Sequence, residues 1–354
     1  MKSENLKKIK PFGLSQKEKS IFFSQEIKKL TKYHYKNSKD YKKLLTFFNY
    51  RMDNNDLRNM PFLPARLFKE LSLYSVEKNK IFKTLMSSGT SGSSPSKIYL
   101  DKNNAQNQVI ALAKIMSTIL GQTRIPMLII DQNPKLIKKN SYNARAAAIY
   151  GFSVFGKNHT YLLDENNNIN YEELDNFLKL FGKKPFFIFG FTSFIFEFLI
   201  EKFNNNKLVF NLSNGVLLHG GGWKKMEKKK INNKKFKEKL KQKFRLKNIY
   251  NYYGLIEQTG SIFLECNKCS CFVTSNFSDI LIRDKHFKVV KNNEKGFIQL
   301  FSLLPTSYPG HSILTEDIGE IIENECECGA YGKRFLVHGR VEKSEIRGCS
   351  DTNN

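Results

Sequence analysis

The run FFIFGFTSFIFEFLI, from Phe186 to Ile200, is the longest apolar stretch of the chain. It is too short for a bilayer-spanning helix, which needs about 20 residues, and Glu197 lies inside it. Two periodicities share it. The continuous block at 186–189 reads as a strand buried on both faces, Gly190 as a turn, and Thr192 or Ser193 as the cap of a following helix. A strand that feeds directly into a helix is the repeating unit of a layered α/β fold.

The same alternation extends on both sides. Ile98–Leu100 and Ile125–Ile130 have the apolar, β-branched character of strands, while Gln106–Leu120, Ala144–Tyr150 and Tyr171–Phe181 have helical character. From about residue 98 to 250 the chain therefore predicts a layered α/β core. The first 85 residues read as helical, with the proline-punctuated PFLP at 61–64 before a short helix near Ala65–Leu71. Residues 81–86 (IFKTLM) read as a strand. After 270 short strands and turns take over, as in Asp279–Arg283, Phe297–Phe301 and Phe335–Val337. The expected organisation is a helical segment (1–85) packed on an α/β core (86–270), followed by a β-rich part (271–354). No internal repeat is visible.

Composition narrows the function classes. Apolar residues at 40% and 30 phenylalanines exclude a disordered chain and supply a sizeable core. The net charge of +25 is uneven: residues 2–43 carry +9 and residues 224–247 carry +11, leaving the remainder close to neutral. These cations are overwhelmingly lysine, whereas bidentate base reading favours arginine, so nucleic-acid binding is disfavoured. A solvated helical face is the default reading; an anionic partner or membrane surface is the second. The start MKSENLKKIKPFG lacks the apolar core of a cleavable signal. Six cysteines are too sparse for a disulfide scaffold, so a reducing cytoplasm is expected.

Five clusters carry potential chemistry. The first, SSGTSGSSPSK (Ser87–Lys97), follows a strand; its small residues let backbone N–H groups curl around a phosphate, although a flexible linker has the same composition. It is not a Walker A loop, because Ser94 stands where the second glycine belongs. The second, LHGGGW (Leu218–Trp223), places three glycines where something flat could rest on the peptide planes, or where the chain simply turns. In the third, YYGLIEQTG (Tyr252–Gly260), Glu257 could hold Mg²⁺ when phosphates supply the other oxygens. The fourth and fifth are Thr315-x-Asp317, whose carboxylate suits two ribose hydroxyls, and Gly339-Arg340, whose guanidinium suits a phosphate.

The order of these clusters resembles that of the adenylate-forming acyl ligases, and more closely the acyl-protein synthetase family, the ligase subunit of the fatty-acid reductase complex of luminous bacteria. The resemblance runs from about Pro61 to the end. It is carried by PFLPARLFKE (61–70), SSGTSG (87–92), HGGGWKK (219–225), YGLIEQTGSIFLEC (253–266), LLPTSYPGHSILTEDIG (303–319) and GRVEKSEIRGCSDT (339–352). It implies the large α/β portion of such a ligase with a small β-rich part. Most superfamily members continue past the G-R hinge into a mobile C-terminal domain with a catalytic lysine; this chain stops at Asn354, a short ending the acyl-protein synthetases share. Lys97, five residues after Gly92, does not match the superfamily's loop lysine.

Residue by residue, the resemblance implies that Ser88, Gly89, Thr90, Ser91 and Gly92 bind the phosphates of ATP. Gly220, Gly221, Gly222 and Tyr253 flank adenine, Glu257 and Thr90 hold Mg²⁺, and Asp317 and Arg340 contact ribose and phosphate. It makes Cys349, in RGCSDT, the acyl acceptor that attacks the acyl-adenylate and releases AMP. Cys349 lies nine residues past Arg340, so an extended tail could carry it roughly 30 Å, and Arg347 nearby favours the thiolate. His219 reads either as a positioner of the carboxylate or acyl-adenylate or as a structural imidazole. The implied substrate is a fatty acid, for which the Phe-rich middle could line a tunnel. The implied partner is an acyl reductase that receives the acyl group.

The other five cysteines form Cys266-x2-Cys269-x-Cys271 and Cys326-x-Cys328, each beside a turn. Four thiolates from such pairs can make a structural Zn²⁺ site. Free thiols are the alternative. Two rival functions remain at this level: a coenzyme A ligase using the same adenylate, and a non-catalytic basic module whose binding would fall steeply with salt.

Overall fold

The computed structural model describes residues 8–52, 56–87, 94–135, 144–203, 210–323, 326–329 and 332–341. These fall into two compact units. One gathers the described residues of 8–87, 94–115 and 254–341; the other spans 116–253. No helix among the described residues is long and apolar enough to cross a membrane.

The first unit opens with helix Gln16–Asn37. Ser15 caps it reciprocally: the Glu18 N–H donates to the Ser15 hydroxyl at 3.3 Å, and the Ser15 N–H donates back to the Glu18 carboxylate at 2.9 Å. Lys19, Phe23, Ile27, Leu30, Thr31 and His34 recur at helical spacing and are buried. A second helix, Lys39–Phe47, follows directly. Beyond it the expected helix near Ala65–Leu71 forms as the short helix Leu67–Glu70, and the rest of the described segment is turns and short strands. Strand β1 (Leu63–Pro64) precedes that short helix, and β2 (Lys83–Met86) pairs antiparallel with β3 (Lys97–Leu100). Pro61 and Pro64 account for the break, because neither can donate the N–H that a helix interior requires. Helix Lys102–Leu120 leaves this unit and enters the second.

The second unit is a parallel sheet built from strand–helix repeats. Its strands are β4 (Ile125–Gln132), β5 (Gly156–Leu163), β6 (Phe186–Phe191), β7 (Gly215–Gly220) and β8 (Asn248–Tyr253). They lie in the order β8-β7-β6-β4-β5 with every pairing parallel. Each parallel step needs a crossover. Helices Ala144–Ser153, Tyr171–Phe181, Thr192–Phe194 continued as a π-helix to Glu201, and Asn233–Phe244 supply them. All six residues of β6 are buried, which explains why its sequence shows no alternation.

Gly190 does not turn the chain as its position suggests. It sits inside β6, opposite His219, and a Cβ there would come within 3.0 Å of Ile130 and Ile195. The glycine thus serves helix-on-sheet packing, and the turn comes after Phe191. In helix Asn233–Phe244, Phe236, Leu240 and Phe244 point inward at four-residue intervals while Lys234, Lys235, Lys239 and Lys241 are exposed. Most of the charge run at 224–247 that the structure describes is therefore a solvated helical face.

The chain then returns to the first unit. Strands β9 (Phe263–Glu265) and β10 (Phe272–Val273) form a short hairpin. β11 (Ser278–Arg283), β12 (Gly296–Ser302), β13 (Ser312–Ile322) and β14 (Arg334–Arg340) form an antiparallel meander, and β14 also pairs with β10. β1 adds to β13 in parallel.

Candidate functional site

Within the parallel sheet the strand order reverses between β4 and β6, the switch point at which ligands enter α/β sheets, beyond the carboxyl ends of the strands. The side chains there are distinctive. Asp131, near the end of β4, is fully buried and paired with the buried Arg145 at 3.1 Å. Arg145 also stacks its guanidinium 4.6 Å from the centroid of the Phe194 ring. Burial pushes the Asp131 carboxyl up, to about 6, against the opposing pull of Arg145. Neither residue belongs to the five clusters. The only sequence signal is an acid that ends the apolar run MLIID.

One strand over, His219 and Gly220 close β7. His219 is buried, and its Nδ1 lies 2.9 Å from the Thr192 hydroxyl, which also donates to the Gly220 carbonyl at 3.2 Å. Burial first, then the charge of Lys237, holds the imidazole neutral, down to about 3. Its Nε2 is buried without a hydrogen-bond partner. A ring packs against the glycine cluster, but it is the chain's own: a Cβ on Gly220 would fall 2.4 Å from that of Tyr252. Gly221 follows at φ +81°, a conformation that favours glycine. Tyr253 ends β8.

In the first unit, Glu257 sits on a 3₁₀ turn, Ile256–Gln258, and is 4% exposed. That turn is bound to the PTSYPGHS run. The Tyr308 hydroxyl donates to the Glu257 carbonyl at 2.8 Å, and the Gln258 amide donates to the Gly310 carbonyl at 2.9 Å and the Leu300 carbonyl at 3.1 Å. A side chain at Gly310 would strike the Tyr308 ring at 2.3 Å, and one at Gly260 (φ +88°) would strike the Gln108 backbone at 2.8 Å. Asn104 anchors the same run, its side-chain oxygen accepting from the Thr306 and Ser307 N–H groups at 2.8 and 3.0 Å. These otherwise unexplained residues act as a mould that fixes the position of Glu257.

Asp317 and Arg340 meet. They stand opposite one another across β13 and β14, and the Arg340 Nε donates to Asp317 at 3.0 Å. Thr315, two residues earlier, accepts from the Asp317 N–H at 3.1 Å and donates to the Ile298 carbonyl at 2.9 Å, which gives the T-x-D spacing a local purpose. Ser88, Gly89, Thr90, Ser91 and Gly92 lie outside the described residues, as does Cys349. Lys97 begins β3 with its side chain exposed. Cys266, Cys269 and Cys326 come together, their sulfurs all within 4.8 Å of one another.

Comparison with known proteins adds to this geometry. The family model described as acyl-protein synthetase, LuxE, matches residues 4–354. The long-chain-fatty-acid–luciferin-component ligase of Vibrio harveyi is 22% identical over 356 residues, spanning 96% of this chain and 89% of that protein. Among solved structures, an open conformation of 2-hydroxyisobutyryl-CoA ligase with 2-HIB-AMP and CoA aligns at TM-score 0.70 and 12% identity, over 94% of this chain and 77% of that one. The postadenylation state of that ligase with 2-HIB-AMP aligns at 0.71 and 13%, over 93% and 69%. The structural likeness establishes the fold, a layered α/β ligase fold. The family match, over nearly every residue, establishes more: this chain is an enzyme of the acyl-protein synthetase (LuxE) family, a family of adenylate-forming ligases.

Proposed function

We propose that this enzyme activates a fatty acid with ATP and then holds the acyl group on Cys349 for a partner protein. The carboxylate oxygen attacks the α-phosphorus of ATP, an acyl-adenylate forms and pyrophosphate leaves. The Cys349 thiolate then attacks the acyl carbon, a thioester forms and AMP leaves with the bonding electrons of the broken C–O bond. An acyl reductase-like acceptor takes the acyl group.

The observation that carries this reading is the Asp317–Arg340 pair, set in register across β13 and β14 in a chain of this family. A carboxylate held at a fixed place on β13 by a guanidinium is the residue type that suits a pair of ribose hydroxyls. Glu257, moulded in place by Tyr308 and Gly310, is the residue suited to Mg²⁺, which would neutralise charge on the phosphates. The buried, unpartnered Nε2 of His219 is the polar atom that β7 offers to an acyl-adenylate. Ser88–Gly92 are assigned the phosphates, and Gly220–Gly222 with Tyr253 the adenine. A fatty acid is the substrate proposed because the Vibrio harveyi relative is a long-chain-fatty-acid ligase.

The test has two arms. Acid-dependent exchange of pyrophosphate into ATP, measured over acids of increasing chain length, is expected to be strongest with long chains. Exchange with no acid at all sinks the reading. Labelling with radioactive fatty acid and ATP should leave a hydroxylamine-labile label that Cys349→Ser abolishes while exchange persists. A label that survives Cys349→Ser, or appears only on free coenzyme A, refutes the acyl-enzyme step.

A further inference from the structure

We propose that Cys266, Cys269, Cys326 and Cys328 bind one structural Zn²⁺ ion that ties the β9–β10 hairpin to the β13–β14 connection. The nucleotide chemistry uses none of these residues.

The geometry comes from two chain segments far apart in sequence. The first is the turn between β9 and β10. The Cys266 N–H donates to the Cys271 carbonyl at 2.8 Å, the Ser270 N–H donates to the Cys266 carbonyl at 2.8 Å, and Ser270 takes φ +57°. This compact loop aims Cys266 and Cys269 at one point. The Lys268 N–H also donates to the Cys266 sulfur at 3.4 Å, a contact that favours a thiolate at that position. The second segment, Cys326-Glu327-Cys328, lies in the connection between β13 and β14, and β14 pairs directly with β10.

The sulfur spacing distinguishes the possible states. Cys266 and Cys326 place their sulfurs 3.8 Å apart. A disulfide would bring them to about 2.05 Å. Tetrahedral zinc with Zn–S bonds of about 2.3 Å sets its sulfur ligands about 3.8 Å from one another. Cys269 completes a triangle with these two, all three sulfurs lying within 4.8 Å. Cys328 stands outside that triangle but only two residues past Cys326 on the same short segment, and we assign it the fourth position. Cys271 is excluded by its own commitment: it is buried, and its thiol donates to the Cys269 carbonyl at 3.6 Å.

Four thiolates around Zn²⁺ carry a net charge of −2, and nearby cations stabilise such a centre. Lys268 is in place for this, its ammonium donating to the Glu327 carbonyl at 3.2 Å beside the two ligands of the second segment. Thiolate ligands select zinc over magnesium or calcium. A closed set of four leaves no open position for substrate, so the ion is structural rather than catalytic.

The test reads metal rather than ligase activity, so its failure leaves the proposed reaction untouched. Full-length protein, purified under reducing conditions without chelator, is analysed by elemental mass spectrometry; one zinc per chain is expected. A thiol-modifying mercurial should release that zinc into a chromogenic chelator. Cys266→Ser and Cys326→Ser should lose it, while Cys271→Ser keeps it. Should the first two variants fail to fold, alkylation of the wild-type protein decides. Cys266, Cys269, Cys326 and Cys328 should be protected together and become reactive together when a strong chelator is added. Protein with well under a tenth of an equivalent of zinc, or with all four thiols reactive before chelation, overturns the proposal; so does stoichiometric iron in place of zinc.

Discussion

The two units solve the problem of a buried sheet differently. In the parallel sheet the core is almost entirely apolar, with Phe186, Phe187, Phe189 and Phe191 of β6 all within 1% of full burial. The antiparallel unit instead buries a charge network. Asp279 of β11 is fully buried, salt-bridged to Lys333 at 3.0 Å and held in the field of Lys19, whose ammonium donates to Thr274 at 2.8 Å. It also stacks two buried histidines, His34 and His311, with ring centroids 4.9 Å apart. Apolar packing tolerates local change in proportion to volume lost, whereas a buried network depends on every partner.

Matched substitutions sharpen that contrast. Phe189→Ala should cost about 3–5 kcal/mol, because Phe189 stacks on Phe152 at 4.6 Å and contacts Phe187 and Phe191 along the strand. Asp279→Asn should cost about 3 kcal/mol at neutral pH, because it strands the Lys19 ammonium. The two differ in pH response. Burial already depresses Lys19 to about 8, and losing Asp279 depresses it further, so the unfolded chain binds the extra proton. Stability of Asp279→Asn therefore recovers relative to wild type as pH rises from 7 towards 9, while the Phe189→Ala deficit stays flat. Urea unfolding at several pH values measures both; parallel curves for the two variants would remove the distinction.

Acid should separate the units in the same way. Burial holds His34 down to about 3 and His311 well below its ordinary value, so in the first unit only the unfolded chain takes up these protons below about pH 6.5. Each such histidine removes up to about 1.4 kcal/mol of stability per pH unit on acidification. The second unit has one such histidine, His219, and it has Asp131. Raised to about 6, Asp131 binds its proton in the folded state between about pH 6 and 4, which offsets His219. Hydrogen exchange at pH 5 and 7, corrected for intrinsic rates, should show helix Gln16–Asn37 and β11–β13 losing protection before β4, β6 and β7. Equal loss in both units would refute this account.

The units also differ in how far the sequence discloses them. β4 and β6 are apolar runs that identify themselves, and helix Tyr171–Phe181 has the bounds its pattern predicts, fixed by the Asn170 cap. β5, β7 and β8 are harder to see. The first and last are polar strands, and β7 is bracketed by Gly215 and Gly220, which read as turns because the packing of Tyr252 on Gly220 is invisible in one dimension. For the candidate site, residue types at 257, 317 and 340 suffice to suggest nucleotide chemistry. Their order in sequence does not disclose that Asp317 faces Arg340, because that depends on a register set across a bulge at Ile318 and Gly319. Nor does it disclose the pairing of Asp131 with Arg145, which only the closing of a strand–helix unit creates.

The smallest expected effect concerns the most conspicuous feature of the sequence, its basic charge. Lys234, Lys235, Lys239 and Lys241 project from helix Asn233–Phe244 into solvent, opposite the buried Phe236, Leu240 and Phe244. Exposed lysines on a helix contribute little to folding, and like charges four residues apart are mildly destabilising. Replacing all four with glutamine should therefore shift stability by only about 0.5 kcal/mol, and should leave acid-dependent pyrophosphate exchange and its salt dependence unchanged. If these lysines instead dock an anionic surface, exchange should be unaffected while binding to anionic lipid vesicles falls and loses its salt sensitivity. Loss of exchange itself would place the helix in the reaction, and would mean that the sharp division between an apolar sheet and a solvated basic face is drawn in the wrong place.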